Sequence, residues 1–181
     1  MNRFIIDHHP GAIAKQLCDK HIVKMPLEEA QMLCTTIRQY APDYADEHEL
    51  YKTAHPKHPC TIWAGKTRAN FMFAYELYEA MLNEYKHRFM RDHGAGNPST
   101  TNPLASSEHI RYASRFIPEG SLTPHPECFG EHTHLVTKQP WPVDSYRQYY
   151  IVDKMDIALY NNGRDMPMWL LDAKNKIERT F

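Results

Sequence analysis

The chain has 181 residues, with 21 Lys and Arg against 22 Asp and Glu, 12 His, and a formal net charge of -1. That length makes one domain able to bury a core without disulfides or metal, and 42% hydrophobic with 24% charged residues excludes a disordered chain. The near-neutral charge excludes duplex binding through a general basic excess and leaves only local contacts with DNA.

Residues 1–10 lack the basic and apolar regions of a signal peptide, and no run approaches the ~18 apolar residues of a membrane helix. Cys18, Cys34, Cys60 and Cys128 show no CxxC spacing. The expectation is a cytoplasmic, monomeric protein with free thiols and no membrane contact. Only 7 glycines, with Ala, Leu, Met, Glu and Lys frequent, favour helices.

Arg3 to Ile6 reads as a short extended lead-in, and Pro10 suits a first helical turn. A long helix is predicted over 11–40, kinked or split at Pro26, because proline removes a backbone donor and clashes with the preceding turn. Ala41-Pro42-Asp43 ends it, Asp46 to Tyr51 adds a short helical turn, and His55 to Pro59 forms a rigid connector. A second long helix is predicted over 61–91. Trp63, Phe73, Ala74, Leu77, Met81, Tyr85 and Phe89 share one face with Asn70, while Arg68, Glu79, Asn83 and Lys86 lie opposite. Residues 94–107 read as a polar loop, 108–116 as a short helix, and 118–142 as a long proline-rich loop. Asp144 is the expected N-cap of a helix over 145–160, and Pro167 opens a last one to about 178. The predicted fold class is all-α: a single helical domain over 1–181, with two long helices in its N-terminal half.

The first long helix carries the most pointed chemistry. His21 and Glu28 are seven residues apart, two turns, and share a stripe with Ala14, Cys18, Met25 and Met32. Desolvation there raises a carboxyl pKa and lowers an imidazole pKa, which suits acid–base work. A neighbouring stripe carries Lys20, Lys24, Gln31 and Arg38. The same residues also read as plain structure: Lys24 and Glu28 as an exposed i,i+4 pair, His21 as a hydrogen-bonded core histidine. Arg147, set among Tyr146, Tyr149 and Tyr150 after Trp141, suits base stacking and phosphate contact, or simply a core helix face. His125, Cys128, His132 and His134, Asp7-His8-His9, and His55/His58/Cys60 are metal-ligating residue types without a zinc-motif spacing. Gly65-Lys66-Thr67 lacks the earlier glycine of a phosphate-binding loop. No metal or cofactor is expected.

His21, Glu28 and the context Asp19-x-His21…Glu28 resemble the small all-α pyrimidine-dimer DNA glycosylases of bacteriophages, the endonuclease V type. The stretch from Pro59-Cys60 to Leu82 is similar to that family's second long helix, and Pro167-Met-Trp169 to its C-terminal segment. The likeness spans about half of the chain in three patches. It implies a DNA glycosylase with abasic-site lyase activity on flipped pyrimidine nucleotides, with Glu28 catalytic and His21 assisting. It also implies nucleophilic attack on the sugar C1′ by the N-terminal amine, which is partly neutral near pH 7. The chain departs from the family at three points. Residue 2 is Asn, so the nucleophilic amine is that of Met1 or is missing, and Leu27 and Gln31 stand where the family has phosphate-binding arginines. Lys20, Lys24, Gln31, Arg38, Arg68 and Arg147 are the candidate DNA contacts. The alternatives are another nucleotide- or base-modifying enzyme on the same fold, or a helical binding protein without catalysis. The 12 histidines predict that any DNA affinity depends steeply on pH.

Overall fold

The computed structural model describes residues 2–96 and 107–179; Met1 and most of the 94–107 loop lie outside them. Among the described residues the protein is helical without strands: α1 (Pro10–Gln16), α2 (Asp19–Tyr40), α3 (Pro42–Glu47), α4 (Pro59–Lys66), α5 (Arg68–Phe89), α6 (Ser107–Ala113), α7 (Val143–Lys154) and α8 (Met168–Glu178). The two 22-residue helices α2 and α5 pack on each other. α1 lies against α5, α4 spans both, and α7 and α8 pair. No described helix is long and apolar enough to cross a membrane.

The predicted first helix breaks eight residues before Pro26, at Leu17-Cys18, which are both extended. Tertiary hydrogen bonds compete successfully with helix propagation there. The Cys18 amide donates to Tyr150 Oη (2.9 Å) and the Asp19 amide to the Leu159 carbonyl (2.9 Å). The Asp19 carboxylate holds the buried Arg88 guanidinium (2.9 Å) and the Asn161 amide (2.7 Å). Pro26 is buried inside an uninterrupted α2, because packing outweighs one lost backbone bond.

The second predicted helix also breaks, at Thr67. Its hydroxyl accepts from the Asn70 amide (3.1 Å) as the α5 N-cap and donates to the Ser121 carbonyl (3.0 Å). The Gly65-Lys66-Thr67 triplet thus ends one helix and caps the next. Gly120 lies so close to this cap that a Cβ there would meet Thr67 Cγ2 at 2.6 Å. α5 is buried well beyond its predicted face, with Phe71, Tyr75 and Tyr78 also inside. The short helix expected over 46–51 lies earlier, at Pro42–Glu47. α7 starts at Val143 with Pro142 at the N-cap, so Asp144 sits in the first turn instead.

The N-terminal lead-in is a central spine. Phe4, Ile5 and Ile6 are buried, the two isoleucines fully, each worth about 1.5–3 kcal/mol. Arg3 enters the core with them, ion-paired to the equally buried Glu29 of α2 and over the Trp63 ring at 5.1 Å. The 118–142 segment is irregular apart from a 3-10 turn at Thr133–Leu135, yet it is pinned. Asn70 donates to Thr123 Oγ1 (2.8 Å) and accepts from its amide (2.9 Å). The Trp63 indole donates to the Thr123 carbonyl (3.2 Å), and the His125 amide to that of Pro140 (3.1 Å).

Candidate functional site

These anchors leave a cleft of about 480 Å³ between α2, the N-terminal spine, the start of α4, the pinned 118–142 segment and α7. α2 contributes His21, Lys24, Met25 and Glu28; the spine contributes Asn2 and Phe4; His58 and Pro59 come from the α4 start. The pinned segment adds Glu127, Cys128, Phe129 and Gly130, and α7 adds Tyr149 and Lys154. Gly130 takes a left-handed turn (φ 56°) that lets the backbone reverse at the cleft edge.

His21 is 5% exposed, stacked on Phe4 with ring centroids 4.5 Å apart. Its Nδ1 is 2.8 Å from the Tyr150 hydroxyl. That hydroxyl also accepts from the Cys18 amide, and with its second lone pair and its own proton it pairs with Nδ1 in either ring tautomer. Burial, with Lys154, Lys24 and Lys20 adding positive charge, pushes the imidazole down to about 3. His21 is therefore a neutral hydrogen-bonding group near pH 7, not a proton shuttle. The pH-dependent charge expected from the histidines does not come from this one.

Glu28 has a side chain 13% exposed, with Oε1 3.1 Å from the Lys24 ammonium, which is 64% exposed. The carboxylate is thus shielded and the lysine free to reach a ligand. Glu127 is a second carboxylate at the cleft. Burial pushes it up, but the Thr137 and Lys138 amides at 3.0 and 2.8 Å outweigh this and hold it below its ordinary value. Phe4 and Tyr149 are stacked, with centroids 6.2 Å apart and planes 14° from parallel, and Phe129 lies 5.2 Å from Tyr149. They give the cleft flat apolar walls.

The structure gathers Glu28, His21 and Lys24 in one place and disperses the other described candidates; Met1 lies outside the described residues. Lys20 is exposed on α2. Gln31 borders a different depression, with Leu50 and Tyr51. Arg38 is spent on the Tyr51 and Leu50 carbonyls (2.7 Å each) and Asp46 (2.6 Å). Arg68 ties Glu119 and the Ser114 carbonyl (3.1 Å) to α5. Arg147 donates to the Ile6 carbonyl (2.9 Å) and lies over Trp169. Asp19 is structural. His132 meets Asp153 (3.2 Å), and among the described residues no three His, Cys, Asp or Glu side chains are placed to hold a metal ion.

Sequence reasoning missed the aromatic walls, Lys154, Glu127 and the cleft-facing role of Cys128. Only Tyr149 carried a signal, as part of the α7 aromatic run. The others come from segments that no local pattern joins to α2. Comparison with known protein families, curated proteins and solved structures gave no match to this chain.

Proposed function

We propose that the protein is an enzyme acting on one nucleotide of a nucleic acid held in this cleft: a DNA glycosylase with abasic-site lyase activity on flipped pyrimidine nucleotides. The observation that carries the reading is the shared cleft wall of Glu28, the neutral His21 and Asn2. Phe4, Phe129 and Tyr149 suit a base taken out of its stack. Lys24 suits its phosphate; Lys154 at the same cleft is held by Asp153 (2.5 Å). Glu28 handles the protons, and His21 Nε2 orients the sugar or base. In the glycosylase step the Met1 amine would attack C1′ as the glycosidic bond breaks and the base leaves protonated; β-elimination of the 3′ phosphate from the resulting Schiff base would be the lyase step. The test is incubation with duplex DNA carrying pyrimidine dimers or abasic sites, with borohydride trapping. Strand cleavage and a trapped adduct, both lost in Glu28→Gln, support the reading; neither product from the unaltered protein refutes it.

A second reading keeps the cleft and changes the substrate to a free or single-stranded nucleotide whose base is modified. It is favoured by Arg38, Arg68 and Arg147 being bound to the protein's own groups, which leaves little duplex grip. It expects a nucleoside monophosphate to bind in the cleft and duplex DNA to be ignored.

A further inference from the structure

At the cleft floor Cys60, in the first turn of α4, meets Cys128 of the pinned segment, with Sγ–Sγ 3.8 Å. Cys60 is fully buried, whereas Cys128 is half-buried and lines the cleft. The local backbone is held on both sides. Cys128 donates its amide to Tyr146 Oη (3.3 Å) and accepts at its carbonyl from Asn2 Nδ2 (2.7 Å), while the Cys60 amide donates to His58 Nδ1 (3.2 Å). Behind Cys60 lies His125, fully buried, whose two ring nitrogens make no hydrogen bond of ordinary geometry.

A buried cysteine by itself packs as a small hydrophobe, and Cys18 and Cys34 do so here. The Cys60–Cys128 pair differs in three ways. The thiols are in contact, one is reachable and the other sealed, and their protons are unequally held. The contact with Cys60 pulls the Cys128 thiol down against its burial, with Arg3 and Tyr146 helping; the same contact and burial push Cys60 up. An accessible thiolate-prone sulfur backed by a second thiol is the arrangement of an attacking and a resolving cysteine.

We propose that Cys128 and Cys60 form a redox-active dithiol that opens onto the cleft and reacts with low-molecular-weight disulfides. Cys128 Sγ, as thiolate, attacks one sulfur of the disulfide. The S–S bond breaks, one small thiolate leaves and takes a proton from water, and a mixed disulfide remains on Cys128. Cys60 then gives its proton to His125, and its sulfur attacks Cys128 Sγ. The second small thiolate leaves with that proton, and His125 ends neutral. Two protein thiols are oxidised to one protein disulfide as one small disulfide is reduced to two thiols.

The inference is independent of the nucleotide reading, and its test needs no nucleic acid. The folded protein is incubated with glutathione disulfide, quenched in acid, and analysed by intact mass and peptide mapping. The expected product has lost two hydrogens and yields a single cross-linked pair, the Cys60 and Cys128 peptides. Cys60→Ser should stop at one glutathionyl group on Cys128, and Cys128→Ser should leave Cys60 unreacted. As a check needing no variant, iodoacetamide should alkylate Cys128 in the reduced folded protein more than about tenfold faster than Cys34, whose thiol burial pushes up to about 12. A folded protein left unmodified by glutathione disulfide, a mixed disulfide on Cys128 that never resolves, or Cys34 reacting as fast as Cys128 would each overturn the proposal.

Discussion

Replacing His21 with Asn probes the electrostatics of the cleft through stability. The imidazole ionises near 6.5 in the unfolded chain and is pushed down to about 3 in the folded one, chiefly by burial. Between these values the unfolded state binds more protons, so acid favours unfolding. The stabilisation is present above about pH 6.5 and is lost as pH falls toward 3. One pKa unit is worth about 1.4 kcal/mol, so lowering the pH from 7 to 5 should cost the wild-type protein about 2 kcal/mol through this group alone. Asn keeps a short polar group near Tyr150 Oη and cannot ionise. The assay is urea unfolding of both proteins at pH 5, 6, 7 and 8. Other titrating groups, including the buried His125, are common to both and cancel in the difference. The wild-type protein should lose about 2 kcal/mol more than the variant from pH 7 to 5. Parallel pH profiles would show that His21 is not desolvated as described and would remove its role as a neutral group of the cleft.

Three further outcomes are expected. Glu29→Gln leaves Arg3 charged and unpaired in the core and should cost about 3–5 kcal/mol in chemical denaturation; a loss below about 1 kcal/mol would mean the pair is hydrated. Asn70→Ala removes its two hydrogen bonds to Thr123 and the one to the Trp63 carbonyl. It should cost about 2–3 kcal/mol, and limited proteolysis should then cut first within 118–142; an unchanged cleavage pattern would show that the other anchors suffice. Lys24→Ala should leave stability within about 0.5 kcal/mol, since this ion pair is largely exposed on the lysine side. Its affinity for a nucleoside monophosphate, read by calorimetry, should fall several-fold; unchanged binding would remove Lys24 from the site.

The helix breaks show how far local pattern reaches. Pro26 is the strongest breaker in the first 40 residues, yet α2 runs through it and the chain bends at Leu17-Cys18. The decisive groups are Tyr150, Leu159 and Arg88, far away in sequence. Thr67 caps α5, yet the periodicity continues across it, because Trp63 and Phe73 both face the core on either side of the break.

What the sequence by itself determined is the all-helical class, two long helices within residues 11–40 and 61–91, the irregular proline-rich stretch, and the alignment of His21 with Glu28. Each follows from periodicity, turn chemistry or the two-turn spacing of one helix, all local properties. Only the tertiary structure decided what surrounds that pair: that Arg3 is core and paired to Glu29, that Arg38, Arg68 and Arg147 bind carbonyls and carboxylates of the protein itself, and that Cys60 and Cys128 touch. The physical reason is that a guanidinium or a thiol has no preferred partner until the chain folds. Burial then selects, among groups distant in sequence, those that satisfy its hydrogen bonds and charge.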